Sequence, residues 1–173
     1  MRPEELKTLV QEVVREVLAR QAQGRPAAGG TRVALGSDHG GFALKQRLKA
    51  FLEGRGEAVL DVGTHTPEAC DYPDLAKAVA RAVQDGSCRA GIMIDGAGIG
   101  SSMVCNKFKG IRAALCYDLK TILNSRQHND ANVLTLGASA NPPEVVEEMV
   151  ATWLATPFEG GRHQKRVDKI EQG

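Results

Sequence analysis

The stretch Ala90-Gly91-Ile92-Met93-Ile94-Asp95-Gly96-Ala97-Gly98-Ile99-Gly100-Ser101 decides the fold. Its first five residues form a nearly all-apolar run, the pattern of a strand covered on both faces at the centre of a parallel sheet. A carboxylate and alternating glycines then end the strand in a turn ahead of a helix start. Working outward, the same alternation recurs. Arg32–Gly36 reads as a short strand, Phe42–Glu53 as an amphipathic helix, and Ala58–Val62 as a second strand closed by Gly63. Asp74–Gln84 has helical periodicity, with Asp74 placed to cap it. Arg112–Cys116 reads as a fourth strand, after which Asp118 caps a helix running toward Gln127. Asn132–Leu136 is the fifth strand, Pro142 and Pro143 open the helix that carries Trp153, and Arg162–Ile170 forms a basic helical tail. Alternating β and α elements with short connections predict the α/β class, a doubly wound five-stranded parallel sheet. Sites in such sheets lie beyond the carboxyl ends of the strands.

Residues 1–30 do not share this pattern. Leu6, Leu9, Val10, Val13, Val14, Val17 and Leu18 fall on one stripe of a helix, with Glu4, Glu5, Lys7, Glu12, Arg15 and Glu16 on the other face. The predicted organisation is an amphipathic helix over 1–20, a flexible Gly/Pro/Ala-containing linker over 21–30, and the α/β domain over 31–173. A lone helix of this length is marginal in water, so its stripe calls for a partner surface.

The formal net charge of +1 over 173 residues gives no global electrostatic case for nucleic acid or an anionic membrane. No segment is long and apolar enough to span a bilayer. Cys70, Cys88, Cys105 and Cys116 show no CxxC pairing, which reads as reduced cytosolic thiols. The N-terminal stretch is too rich in glutamate for a transit peptide.

Chemistry-bearing residues gather in four places. Ser37-Asp38-His39-Gly40-Gly41 follows the first strand, and Asp95 to Ser101 follows the central one. Consecutive glycines there can turn backbone N–H groups toward an anion, or can merely make a tight turn. A carboxylate on the last position of a buried strand is costly unless it is used or paired. Ser125-Arg126-Gln127-His128-Asn129-Asp130 packs polar groups before an apolar strand, as a site or as an ordinary helix end. Arg162 and Arg166, at i and i+4, suit a phosphate or a solvated basic helix end.

Together, Gly36–Gly41, Asp71-Tyr72-Pro73, Gly96–Gly100, Asn106-Lys107, Gly110-Ile111-Arg112, Ser125–Asp130 and Glu159–Gln164 occur in the order found in one family. From Arg32 to Ile170 the chain resembles the ribose-5-phosphate isomerase B and galactose-6-phosphate isomerase family. The resemblance implies a Rossmann-like sandwich that works as a homodimer or homotetramer with sites shared between subunits, without metal or nucleotide cofactor. It implies aldose–ketose isomerisation of a phosphorylated sugar through a cis-enediolate, with ribose 5-phosphate as the leading substrate. Asp38, His39 and His128 would open the sugar ring and hold its hydroxyls, and Asn129 and Tyr72 would line the pocket. The amides of Gly96, Ala97, Gly98, Gly100 and their neighbour Ser101 would face the substrate and its developing oxyanion. Arg126, Arg162 and Arg166, with His39, would hold the phosphate.

Two departures bear on mechanism. Many family members carry a cysteine base where this chain has Asp95, and a threonine or serine where it has Ala97. Some relatives place a glutamate base at the position of Ser101. Asp95 is then the candidate base of this chain. The alternatives are a catalytically altered sugar-phosphate-binding or scaffolding relative, or an isomerase of a different sugar phosphate. Residues 1–20 resemble the encapsulation peptides that direct enzymes into bacterial microcompartments. That resemblance implies a shell protein or other cargo as partner, inside a compartment of the bacterial cytoplasm.

Overall fold

The computed structural model describes residues 31–172. The helix expected over 1–20 and the linker over 21–30 lie outside the described residues. Five strands form one parallel sheet: β1 (Arg32–Ser37), β2 (Val59–Gly63), β3 (Cys88–Asp95), β4 (Ala113–Leu115) and β5 (Val133–Gly137), in the order β2-β1-β3-β5-β4. The helices are α1 (Phe42–Gly54), α2 (Tyr72–Gln84), α3 (Ile99–Cys105), α4 (Leu119–Gln127), α5 (Pro143–Ala155) and α6 (Gln164–Ile170). The doubly wound α/β sheet expected from sequence is the observed architecture.

Alternation along the strands sorts side chains onto two faces. Val33, Leu35, Ile92, Ile94, Leu134 and Leu136 meet Leu48 and Leu52 of α1, Ile122 of α4 and Met149 and Trp153 of α5. Ala34, Met93 and Val133 meet the small residues Ala76, Val79 and Ala80 of α2, and Cys105 of α3. Each fully buried aliphatic side chain stabilises the fold by about 1.5–3 kcal/mol.

Most element ends fall within a residue or two of the sequence reading, and three differences have a structural reason or consequence. Helix α2 starts at Tyr72 instead of Asp74, because Pro73 is pre-set for a first turn and Asp74 falls inside it. The basic tail splits into a 3-10 turn at Gly161–His163 and α6. Strand β4 is three residues long instead of five, and among the described residues it is an edge strand paired only with β5. Asp118 does cap α4, with Thr121 completing the reciprocal pair of bonds.

Candidate active site

The strand order reverses between β1 and β3, so the loops after Ser37 and Asp95 splay apart and leave a crevice at the carboxyl end of the sheet. Asp38, buried at the mouth of β1, accepts a 3.0 Å hydrogen bond from Gly41 N–H. His39 is exposed, and its Nδ1 lies 3.3 Å from both the N–H and the C=O of Cys70. One peptide residue thus offers that nitrogen a donor and an acceptor, so the imidazole keeps a partner in either tautomer. Tyr72 lies against Gly100, where an added Cβ would come within 2.5 Å of the phenol.

Asp95 is buried at the end of β3, and both carboxylate oxygens are engaged. Oδ1 accepts from Ala97 N–H at 2.8 Å and from Gly98 N–H. Oδ2 accepts from Ser101 N–H at 3.1 Å and from the Ser101 hydroxyl. Gly98 has φ +78° and lies 2.8 Å, measured from a built Cβ, off the backbone of Leu136, so no other residue fits this turn. These bonds correct the expected oxyanion donors. The amides of Ala97, Gly98 and Ser101 turn inward to Asp95, because the loop closes over its own carboxylate. The amides of Gly96, Ile99 and Gly100 take no part in that closure, the latter two in the first turn of α3 where helix N–H groups lack partners in the helix.

The remaining expected residues do not join this crevice within one chain. His128 caps the carboxyl end of α4, and Asn132, just beyond, accepts from Gly91 N–H near the start of β3. His128 and Asn129 therefore lie toward the amino end of the sheet, and the four steps of β5 alone separate the two ends by about 13 Å. His163 joins His128 there: the two rings stack with centroids 4.1 Å apart and planes 5° from parallel. Glu159 lies 3.8 Å from His128 and 3.7 Å from His163. Arg162 donates from Nε to His163 Nε2 at 3.3 Å, and Arg166 is exposed on the first turn of α6. Although His128, Glu159 and His163 bring three potential ligand atoms within 4.8 Å of one another, the parallel rings direct their lone pairs side by side. The Arg162 guanidinium already fills the approach to His163 Nε2. The cluster is thus not set to converge on a metal.

Arg126 requires a correction. Its guanidinium donates to Thr156 O at 3.2 Å, Asp130 Oδ1 at 2.9 Å and Ala131 O at 2.5 Å, and it lies over the Trp153 ring. It ties the ends of α4 and α5 together and is not presented with Arg162 and Arg166, because uncovered carbonyls at two helix ends need a donor. Burial holds its pKa below the ordinary value even against the nearby Asp130.

The sequence reading passed over Lys45, although a lysine beside Leu44, Leu48 and Leu52 interrupts the apolar stripe of α1. Lys45 is fully buried and donates to Asp61 Oδ1 at 2.6 Å, the same oxygen that accepts from Gly63 N–H at 3.0 Å. Burial opposes the charge on Asp61, but these donors outweigh it and hold the carboxyl below its ordinary range. The pair anchors the chain as it leaves β2, one residue before Thr64 N–H donates to Ser37 O at 2.7 Å. Cys105 offers no substitute base: burial, then the charge of Asp95, push its thiol up to about 12.

Burial, followed by the charges of His128, Arg162 and Arg166, holds the His163 pKa below its ordinary value. Between that lowered value and about 6.5 the unfolded chain binds the proton and the folded one does not, so stability rises with pH across this window. Thermal midpoints measured from pH 7 down to 5 should fall in the wild type, and His163→Gln should flatten that part of the slope. An unchanged slope in the variant would remove His163 as its source.

An α/β protein with a crevice at the strand-order reversal, lined by acid, imidazole and a glycine-rich amide loop, belongs to the class that binds small polar metabolites there. The sequence pattern of the ribose/galactose isomerase family matches residues 33–170. The chain belongs to that family and is an isomerase. It is 46% identical over 139 residues to ribose-5-phosphate isomerase B of Escherichia coli, spanning 80% of this chain and 93% of that protein. It is 39% identical to D-erythrulose-4-phosphate isomerase of Pectobacterium atrosepticum, over 80% of this chain and 91% of that one. Among solved structures, ribose-5-phosphate isomerase B of Clostridium thermocellum superposes with a TM-score of 0.80 at 47% identity, covering 82% of this chain and 95% of that chain.

Proposed function

We propose that this isomerase interconverts an aldose phosphate and its ketose, with ribose 5-phosphate and ribulose 5-phosphate as the leading pair, in a site shared by two copies of the chain. The observation that carries the proposal is the division of the polar groups between the two ends of one sheet. Asp38, His39, Tyr72, Asp95 and the Gly96–Gly100 loop stand at the carboxyl end, and His128, Asn129, Arg162 and Arg166 at the amino end. A two-fold pairing would bring one copy's amino-end group onto the other's crevice and complete two equivalent sites. Beside the crevice Ile99 is 48% exposed and Met103 64% exposed, one turn apart on α3, an apolar surface suited to such an interface. A homotetramer would be a pair of these dimers.

In this reading Asp38, His39 and the partner copy's His128 open the sugar ring. Asp95 takes the C2 proton, the carboxyl so formed exchanges its proton with water and delivers one to C1, while the hydroxyl proton moves between O2 and O1, so no oxidant or cofactor is consumed. Three of the four donors to Asp95 are fixed amides, but the Ser101 hydroxyl can rotate away and expose a lone pair of Oδ2. The developing oxyanion is met by the amides of Gly96, Ile99 and Gly100. Incubation with ribose 5-phosphate in heavy water tests the reading. Deuterium should enter the sugar at the isomerising carbon, and a sugar recovered without label would overturn it. The similarity to an enzyme named for erythrulose 4-phosphate makes a four-carbon sugar phosphate the second substrate to try.

Arg162 and Arg166 would hold the phosphate. Truncating either to alanine should raise KM about ten- to a hundredfold with a smaller change in kcat, since a charge-assisted hydrogen bond is worth about 1.5–3 kcal/mol. An unphosphorylated sugar turned over equally well would remove the assignment.

The family match begins at residue 33, so residues 1–20 lie outside it. Their apolar stripe supports a role in docking the enzyme to a bacterial microcompartment shell protein or to other cargo. Deleting residues 1–30 should leave thermal midpoint and kcat unchanged and abolish co-sedimentation with shells. Leu9→Glu should do the same, and Lys7→Glu, on the opposite face, should not. Loss of activity on deletion would make the segment part of the enzyme itself.

A further inference from the structure

Tyr117 has no part in the roles assigned so far. It stands in the turn between β4 and α4, 41% exposed, and its hydroxyl donates to the carbonyl of Ala97 at 2.6 Å. Its own carbonyl accepts from Asn141 Nδ2 at 2.8 Å, which fixes the turn that carries the ring. The peptide between Ala97 and Gly98 is thus held from two sides. Asp95 takes the N–H groups of both residues, and Tyr117 takes the carbonyl between them. A peptide that leads into a positive-φ glycine has an accessible alternative in which its plane turns over. That rotation would lift Gly98 N–H off Asp95 and swing the start of α3, and with it the amides of Ile99 and Gly100.

We infer that Tyr117 is a positioning residue for the isomerisation, a strap that locks the 97–98 peptide so that the Gly96, Ile99 and Gly100 amides keep their aim. The inference rests on the isomerase reading for its kinetic consequence, but not for its structural one. Because the phenol proton is given to a backbone carbonyl, Tyr117 acts on the loop and not on the sugar.

The test is Tyr117→Phe, which keeps the ring and removes the strap bond. Amide hydrogen exchange at Gly98, whose N–H is held by Asp95 and released when the peptide turns over, read by mass spectrometry or NMR on the unliganded full chain, should accelerate by about three- to tenfold, the worth of one neutral hydrogen bond. Turnover should fall by a similar factor, with KM and the inhibition constant of inorganic phosphate unchanged, because the phosphate groups belong to the other half of the site. Asn141→Ala, which frees the turn behind the ring, should shift exchange and kcat in the same direction. Wild-type exchange rates in Tyr117→Phe would overturn the strap. So would a rise in KM at constant kcat, which would make Tyr117 a substrate contact. If the wild-type chain labels no sugar phosphate in heavy water, the isomerase reading fails by itself, and the exchange rates still decide the strap.

Discussion

Mixing two inactive variants, Asp38→Asn and His128→Ala, should restore isomerase activity to about a quarter of the wild-type level if the subunits re-pair at random. Asp38 stands at the carboxyl end of β1, and His128 caps α4 toward the amino end of the sheet. A site that draws one residue from each copy leaves every single-variant dimer with two broken sites. A mixed dimer has one site carrying both lesions and one carrying neither. Half of the randomly paired dimers are mixed and half of their sites are intact, which gives the quarter. The assay is turnover of ribose 5-phosphate after co-denaturation and refolding, or after co-expression with two affinity tags. Recovery confined to the doubly tagged fraction would establish that the site is shared. No recovery, from variants that remain dimeric, would place both residues in one chain's site or remove one of them from the chemistry.

Asp95→Asn is expected to lower kcat by about 10²–10⁴-fold, the usual worth of a positioned general base. The amide oxygen of asparagine can still accept from Ala97 and Gly98, but its NH2 would face the N–H of Ser101, donor against donor, and the Ser101 hydroxyl would have to turn and accept from it. Ser101→Ala separates the two roles of Asp95. If Asp95 moves the proton, releasing Oδ2 from the Ser101 hydroxyl leaves kcat within about tenfold of wild type, whereas Asp95→Asn does not. If Asp95 only shapes the loop, the two variants lose turnover and thermal midpoint in parallel. Binding of inorganic phosphate should persist in both, because Arg162 and Arg166 lie outside the loop.

The glycine-rich loop shows how far the sequence could be read. Gly96, Gly98 and Gly100 after an apolar strand located the crevice, since a parallel sheet exposes its site where strands give way to helices. The carboxylate at its head was legible as a group that must be used or paired. Its use was not: three amides and a hydroxyl that pattern alone would aim at a ligand are turned onto Asp95 itself. Arg126 misled for a related reason. Its place among Ser125, His128 and Asn129 suggested a phosphate contact, but neighbours in sequence at a helix end diverge in space, and the guanidinium went to the carbonyls of Thr156 and Ala131.

By itself, then, the sequence determined the class of fold, the positions of the strands, the two strand ends that form the crevice and the family. Each of these depends on local periodicity, on turn chemistry or on short motifs, all of which are written in consecutive residues. Tertiary structure alone decided the strand order β2-β1-β3-β5-β4, which inserts β5 beside β3 and leaves β4 at the edge. It decided that Lys45 and Asp61 pair in the interior, that His128 stacks on His163, and that Tyr117 reaches across to Ala97. It also divided the polar groups between opposite ends of the sheet. Hydrogen-bond partners and charge pairs are set by distances between residues remote in the chain, and those distances exist only once the two faces of the sheet have closed over their helices.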